Sequence, residues 1–313
     1  MNITTKKPNK SVFSDIDSKE KILTIIGKDP HFVQYIINNK DEFYTSQEKK
    51  EKNKTRTITP SLYGLKHIHE NLKQFLSKRV LFPKYIHGSV KRKSTKTYVK
   101  VHIQKEEVLK FDIKDFYPSI NPKFIKRSLT DLGMVDEAAQ LIADLCTYNS
   151  SLPQGISVGP IIANLVLLPT SKKIYLYCKK HDLDFSVYMD DLTISGNKKI
   201  QPYWGTVYLM IKNALFVVSK EKTKFMNKNQ AQTTTKLTIN TIPRPENAYL
   251  RNLKQDIKQF INTIEEKALL LSKYRKDDKQ MYASLRGRIV YVKQFKKKTA
   301  RKLRALLVTD VRN

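Results

Sequence analysis

Cysteine, tryptophan and acidic residues are scarce in this chain of 313 residues. The 2 cysteines, Cys146 and Cys178, are too few for a disulfide framework and too far apart for a CxxC metal site. We therefore expect two buried, reduced thiols. No apolar run approaches the roughly 18 to 20 residues that a membrane span requires. The first ten residues also lack the apolar core of a secretion signal. These absences predict a cytoplasmic protein with no membrane partner.

Basic residues outnumber acidic ones, with 59 Lys and Arg and 29 Asp and Glu, which gives a formal net charge of +30. A surplus of that size repels itself in a folded chain unless an anionic partner neutralises it. The 16 tyrosines and 13 phenylalanines offer rings on which bases could stack. Nucleic acid is the favoured partner, although a ribosome-associated or membrane-surface protein would share the charge.

Charge and periodicity along the chain indicate two parts. Residues 241–313 carry 19 Lys or Arg against 7 Asp or Glu. Two helical patterns, Leu250–Tyr274 and Ser284–Leu307, occupy most of this segment. We predict a basic helical domain over residues 241–313 and a larger domain of mixed helices and strands over residues 1–240.

Adjacent carboxylates, Asp190 and Asp191, lie between two strand-like runs in FSVYMDDLTISG, residues 185–196. Two carboxylates at the tip of a half-buried hairpin repel each other, and each loses hydration unless a cation is bound there. An ordinary Asp-rich turn explains these two residues equally well.

A third carboxylate, Asp112, lies in the apolar strand-like segment VLKFDI, where an unpartnered charge is penalised. One carboxylate at a strand end and two at a hairpin tip supply the hard oxygen ligands that two-metal phosphoryl transfer requires. Asp115, three residues on, is more simply explained as a turn-capping carboxylate.

Three segments together resemble the motifs of bacterial reverse transcriptases, and their order fits the retron type best. FDIKDFYPSI from residue 111 is similar to the family's motif A, LPQGISVGPIIANL from residue 152 to motif B, and YMDD from residue 188 to motif C. The resemblance covers roughly residues 54–307. It implies an α+β, right-hand polymerase fold with fingers, an antiparallel-sheet palm and a helical thumb.

The resemblance also implies catalytic roles. Two Mg²⁺ ions, for which Mn²⁺ can substitute, would be held by the carboxylates of Asp112, Asp190 and Asp191 and by the backbone carbonyl of Ile113. Lys222, in SKEKT, resembles the motif D lysine that protonates the leaving pyrophosphate.

Four further residues are implied in nucleotide binding. Tyr117 lies where the family places the steric gate that selects deoxynucleotides, although core packing is the alternative. Gln154 matches the glutamine that contacts the incoming nucleotide or the template, and Gly155 lets the backbone approach closely. Arg56, in KTRTITP, matches the fingers arginine that binds triphosphate, with an ordinary surface arginine as the alternative.

The segment SLRGRIVYVKQF, residues 284–295, resembles the thumb of retron enzymes. Arg286, Arg288 and Lys293 would there contact phosphates of the duplex, unless they only form a solvated helix face.

The implied reaction is RNA-directed DNA synthesis from dNTPs onto a primer 3′-OH or an RNA 2′-OH. The expected partners are an RNA template or primer, most simply a cognate noncoding RNA, and the DNA product, with a defence effector protein or a second polymerase subunit as further candidates. Tyr98 replaces an asparagine of the retron pattern, and KLTI, residues 236–239, replaces its Val-Thr-Gly signature. Other phage-defence reverse transcriptases therefore stay equally plausible. An RNA-dependent RNA polymerase, a non-catalytic RNA-binding subunit and untemplated or protein-primed synthesis are the alternatives.

Overall fold

The computed structural model describes residues 11–51, 54–269 and 276–309. These residues form two units. The first contains residues up to 101 together with 107–225, and the second contains residues 102–106 together with those from 226 onward.

The first unit combines helices with two antiparallel sheets. Its α-helices in the described ranges are α1 (Lys19–Ile26), α2 (Pro30–Asn38), α3 (Tyr63–Arg79), α4 (Thr95–Val99), α5 (Phe116–Ser119), α6 (Pro122–Thr130), α7 (Asp136–Cys146), α8 (Gly159–Lys180) and α9 (Gln201–Asn213). Its strands are β1 (Gln47–Glu51), β2 (Lys54–Ile58), β3 (Glu107–Asp112), β4 (Asp184–Tyr188) and β5 (Asp191–Gly196), and β6 (Lys224–Asn227) crosses into the second unit.

The larger sheet has the strand order β4-β5-β3-β6. Side chains alternate across a strand, so Leu109 and Phe111 of β3 point to one face and Lys110 and Asp112 to the other. The first face is apolar and fully buried, and Leu192 and Ile194 of β5 continue it. The second face is polar and carries the candidate site. One-sided burial fixes the register of the strands and so fixes which side chains meet.

The longest helix of the first unit, α8, packs among apolar residues on nearly all sides. It begins at Gly159, with a proline in its first turn, where the missing N–H costs no hydrogen bond. Its buried Asn164 donates a side-chain hydrogen bond of 2.8 Å to the Gly88 carbonyl. The helix therefore anchors the segment that lies behind the β4–β5 hairpin.

The strands β1 and β2 pair as a two-stranded antiparallel hairpin. Lys49 lies opposite Arg56 in its register. Just beyond β2, the Thr59 N–H donates to the Gln154 carbonyl over 2.6 Å. This bond joins the hairpin to the LPQG segment.

The second unit contains a small sheet and three helices. Its strands are β7 (Thr233–Thr234), β8 (Leu237–Thr238) and β9 (Arg244–Pro245), and its helices in the described ranges are α10 (Asn247–Leu269), α11 (Lys276–Lys293) and α12 (Lys297–Thr309). The sequence divides the chain at residue 240, whereas the structure divides it after Phe225. The small sheet belongs with residues 102–106, because the Gln232 amide donates to the Lys105 carbonyl over 2.9 Å.

The prediction of one helix over Ser284–Leu307 is wrong, because the chain turns between α11 and α12. Leu285 and Leu307 lie in one apolar cluster. In a single straight helix they would stand about 33 Å apart, at 1.5 Å per residue. The turn therefore lets both ends of this segment bury their leucines together.

Within the described ranges, no helix is long and apolar enough to cross a membrane. Cys146 and Cys178 are both free and buried, as the sequence predicts.

Candidate active site

The three predicted carboxylates come together at one end of the larger sheet. Asp112 ends β3 and lies directly opposite Asp191, which begins β5. Asp190 lies in the turn between β4 and β5, and its carbonyl accepts a 3.0 Å hydrogen bond from the Ile113 N–H. Only 5% of Asp112 is exposed. The predicted hairpin is thus confirmed, and backbone pairing holds all three residues.

The turn of this hairpin lies against His87 and Gly88, which no sequence motif marked. Met189 has a positive φ of 58°, and Gly88 lies against it. A Cβ on Gly88 would stand 2.7 Å from the Met189 backbone nitrogen. The neighbouring His87 N–H donates to the Val187 carbonyl over 2.8 Å. Gly88 therefore allows the close backbone approach that supports the hairpin tip.

Carboxylate crowding changes the acidity of the hairpin residues. Burial, with the negative charges of Asp191 and Asp112, raises the pKa of Asp190 to about 6. Burial also raises the pKa of Asp191, although the ammonium of Lys110 opposes the rise. The site therefore attracts positive charge most strongly once all three groups are ionised.

Two lysines supply positive charge to the cluster. Lys222 donates to Asp112 Oδ1 over 2.6 Å, and Lys110 lies 2.7 Å from Asp191 Oδ1. Burial opposes the charge of Lys222, but the hydrogen bond and charge of Asp112 outweigh it and raise the pKa of this ammonium. The Lys222 ammonium is therefore held beside the carboxylate cluster.

The donor set suits a hard divalent cation. Carboxylate oxygens are the ligands that Mg²⁺ prefers, together with phosphate and water. Among the residues that the structure describes, no three acidic, His or Cys side chains already surround a common point as a metal cage. Asp112 and Asp191 instead contact the two lysines, and the pKa of Asp190 stays raised, first by burial and then by the charges of the other two carboxylates. The cluster therefore fits a divalent cation chemically, provided that its side chains turn toward it.

Tyr117 lies beside this cluster. It is half-buried, and burial together with the negative charge of Asp190 raises the pKa of its phenol. Its ring packs against α8, where a Cβ on Gly159 would stand 3.4 Å from Cε1 of the ring. The ring is thus held against α8 and close enough to Asp190 to feel the charge of its carboxylate.

A cavity of about 410 Å³ contains two of the predicted nucleotide-binding residues, Arg56 and Gln154. Gly155 lies next to Gln154 with φ of 121°, and a Cβ there would approach the Pro60 nitrogen to 3.0 Å. Asp115 and Pro118, which flank Tyr117, line the same cavity. The segment that begins at Asp112 therefore connects the carboxylates with this cavity.

Asp115 does not act as a turn-capping carboxylate. It precedes α5 with φ of 46°, and its side chain makes no capping hydrogen bond. The exposed carboxylate lines the cavity instead.

In the second unit, the three predicted phosphate-contacting residues separate into two groups. Arg288 is paired with Asp256 over 2.7 Å and lies over the Tyr249 ring, so it is engaged within the unit. Arg286 and Lys293 line a groove of about 610 Å³ between α11 and α12. Three cations of α12, missed from the sequence, line the same groove: Lys297, Arg301 and Arg304.

The comparison with protein families decides the assignment, since residues 47–270 match the model described as reverse transcriptase (RNA-dependent DNA polymerase). The chain belongs to the reverse transcriptase family. The predicted right-hand polymerase fold is confirmed with it. So is the resemblance to retron-type bacterial members.

Three proteins similar to this chain are named as retron reverse transcriptases. It is 27% identical to the retron Se72 reverse transcriptase of Salmonella heidelberg over 59% of this chain and 50% of that one. It is 27% identical to the retron Mx65 enzyme of Myxococcus xanthus, over 69% and 53%. It is 26% identical to the retron Ec86 enzyme of Escherichia coli, over 68% and 67%. The matches thus span about half of the first two relatives.

Among solved structures, the telomerase of Candida albicans, in complex with the TWJ fragment of telomeric RNA, overlaps this chain with a TM-score of 0.48 and 11% identity. The overlap covers 86% of this chain and 63% of that one. The family match alone carries the assignment.

Proposed function

We propose that this protein is an RNA-directed DNA polymerase whose reaction centre is the Asp112, Asp190 and Asp191 cluster. The observation that carries the proposal is the placement of three carboxylates, the buried one of Asp112 and the half-buried ones of Asp190 and Asp191, at one sheet end beside the half-buried ring of Tyr117. A primer hydroxyl, either a 3′-OH or the 2′-OH of an RNA, attacks the α-phosphate of a dNTP and releases pyrophosphate. Two Mg²⁺ ions, for which Mn²⁺ can substitute, would lower the pKa of that hydroxyl and neutralise the pyrophosphate.

The chain's own residues divide the remaining tasks. Asp112, Asp190 and Asp191, with the Ile113 carbonyl, supply the oxygen ligands. Lys222 is held protonated beside Asp112, and it would donate that proton to the leaving pyrophosphate once Asp112 binds cations instead of the ammonium. The Tyr117 ring excludes a ribose 2′-OH by its bulk.

Nucleotide and template binding are assigned to the cavity that Arg56 and Gln154 line. A guanidinium suits a triphosphate because its planar donors match phosphate oxygens. Gly155 maintains the close contact between the LPQG segment and the chain after β2. The groove of Arg286 and Lys293 binds the backbone of the template–product duplex, and the cations of α12 extend it.

The biological setting is proposed on the relatives, which are named as retron reverse transcriptases. We propose a cognate noncoding RNA as template and a role in a retron or another phage-defence system, with a defence effector protein or a second polymerase subunit as candidate partner. The cytoplasmic location also stays a prediction.

The experiment uses the purified protein with its copurified RNA, Mg²⁺ and either dNTPs or NTPs. DNA should accumulate with dNTPs, and Asp190→Asn should abolish it. Preferential NTP incorporation would favour an RNA-dependent RNA polymerase. Equal behaviour of wild type and Asp190→Asn would favour a non-catalytic RNA-binding subunit and contradict the proposal.

A further inference from the structure

Lys110 is a second cation of the site that neither the motifs nor the comparisons assign. It lies in the middle of β3, two residues before Asp112 and therefore on the same face of the strand. Its register partner on β5 is Thr193, which makes Asp191 its diagonal neighbour across the two strands. The Nζ to Oδ1 distance is 2.7 Å, and the side chains of Lys110 and Asp191 are 19% and 16% exposed.

Lys222 differs from Lys110 in its freedom to leave the site. It lies in a turn before β6 and its side chain is 40% exposed. A swing into solvent therefore requires only side-chain rotations. Lys110, in contrast, is attached to a central strand paired with β5, and its ammonium is largely enclosed. Of these two ammoniums, the one on Lys110 is the fixed charge.

A fixed ammonium beside a metal ligand lowers the attraction of the site for a divalent cation, because like charges repel strongly where water is largely excluded. The three carboxylates carry three negative charges when ionised, and Lys110 permanently offsets one of them. A bound nucleotide triphosphate adds several negative charges, so the site then attracts divalent cations more strongly.

We propose that Lys110 is a built-in counter-ion of Asp191, which keeps divalent cations weakly bound until a nucleotide triphosphate arrives. This inference rests on the proposed function and adds a regulatory property to the same site. Metal and nucleotide would then bind with positive coupling, and Lys110 would be a positioning residue that acts through Asp191.

The test measures Mn²⁺ binding to the nucleotide-free protein by electron paramagnetic resonance of the free ion. Lys110→Met should bind Mn²⁺ tighter than wild type by at least about fivefold, a coupling of ordinary size. Lys110→Arg keeps the charge and should bind as wild type does. If Lys110→Met does not fold, Lys110→Gln is measured in its place, because glutamine keeps a hydrogen-bond donor without the charge.

Lys114→Met is the matched control, because Lys114 is exposed, lies two residues beyond Asp112 and carries the same charge. Its removal should change the affinity by less than about twofold, since solvent and salt screen exposed charges. Equal Mn²⁺ affinity in wild type and Lys110→Met would overturn the inference, as would equal gains in Lys110→Met and Lys114→Met. DNA synthesis that depends on Asp190 would leave the proposed function intact in either case. No Mn²⁺ binding by any variant would overturn the inference and the metal site together.

Discussion

Asp112 and Asp191 face each other as register partners on antiparallel strands, one at the end of β3 and one at the start of β5. Directly opposed like charges destabilise a sheet. Two lysines contact these carboxylates and offset the repulsion, whereas burial, with the charges of the same two carboxylates, raises the pKa of neighbouring Asp190. Stability and cation binding are therefore coupled at this sheet end.

Asp190→Asn should stabilise the protein in EDTA. The folded-state pKa of Asp190 is raised to about 6, so the carboxyl stabilises the fold while protonated and this contribution is lost as the pH rises through 6. At pH 8 the variant should gain about 1 to 3 kcal/mol of unfolding free energy, measured by urea denaturation. Mg²⁺ should stabilise the wild type but not the variant. Exposed Asp115→Asn is the control, and a gain there of equal size would refute the explanation.

Tyr117→Ala should admit ribonucleotides. The proposed selection depends on the bulk of the ring, so Tyr117→Phe should discriminate as wild type does. The measurement compares incorporation of dTTP and UTP opposite the same template base. The dTTP-to-UTP ratio should fall by at least about tenfold in the alanine variant. A loss of discrimination in the phenylalanine variant would assign selection to the hydroxyl instead.

Gly88→Ala should slow DNA synthesis, because its Cβ would displace the Met189 backbone and with it the hairpin tip. Adding Met189→Ala removes the side-chain conflict but not the one with the backbone nitrogen, so rescue should be partial. The measurement is the single-turnover extension rate. Gly205→Ala on α9 is the control, since nothing lies near its Cβ, and it should stabilise the protein by up to about 1 kcal/mol. Full rescue by Met189→Ala would show that the backbone contact is unimportant.

Arg288→Ala and Lys293→Ala should separate folding from RNA binding. Loss of the partly exposed Arg288–Asp256 pair and of the Tyr249 contact should cost about 0.5 to 1.5 kcal/mol of unfolding free energy. Lys293→Ala should leave stability nearly unchanged but weaken RNA binding. The salt dependence of RNA binding should fall by the equivalent of about one phosphate contact. Fluorescence anisotropy across a salt series checks this, and the reverse pattern would contradict the assignment of the groove.

Acid should destabilise the first unit through His69. This residue is fully buried, and its ring nitrogens contact Ser61 Oγ at 2.8 Å and the Leu145 carbonyl at 2.9 Å. Burial lowers its pKa to about 4. The unfolded chain therefore binds an extra proton below pH 6.5, and stability is lost as the pH falls from 6.5 toward 4. His69→Gln should flatten that part of the stability–pH curve, and an unchanged slope would exclude His69 as the cause.

The strand end at Asp112 and the turn at Asp190 and Asp191 could be predicted from the sequence because strand and hairpin signals are local. That the three carboxylates meet depends on the distant pairing of β3 with β5, and only the resemblance to the reverse transcriptase motifs implied it. Lys110 could have been found in the same way, as the residue two before Asp112 on the same face. Gly88 could not, because its role depends on a close approach to Met189, 101 positions away.

In the second unit, spacing predicted helices but not their turn. Residues 294–296, between α11 and α12, contain no glycine or proline to interrupt the helical pattern, and only the shared burial of Leu285 and Leu307 requires the chain to fold back. The same fold engages Arg288 with Asp256 while Arg286 and Lys293 line the groove. The sequence pattern therefore did not predict which of these three basic side chains line the groove and which one pairs within the unit.

Sequencing the product tests the central claim most directly. Wild-type protein, Asp112→Asn and Asp131→Asn are each given a defined RNA template, an annealed primer, Mg²⁺ and dNTPs. The proposal predicts DNA complementary to the template with the wild type, and none with Asp112→Asn. Asp131→Asn, whose exposed side chain lies outside both the carboxylate cluster and the nucleotide cavity, should still produce complementary DNA. Product that is not complementary to the RNA, or complementary DNA from Asp112→Asn, would contradict it.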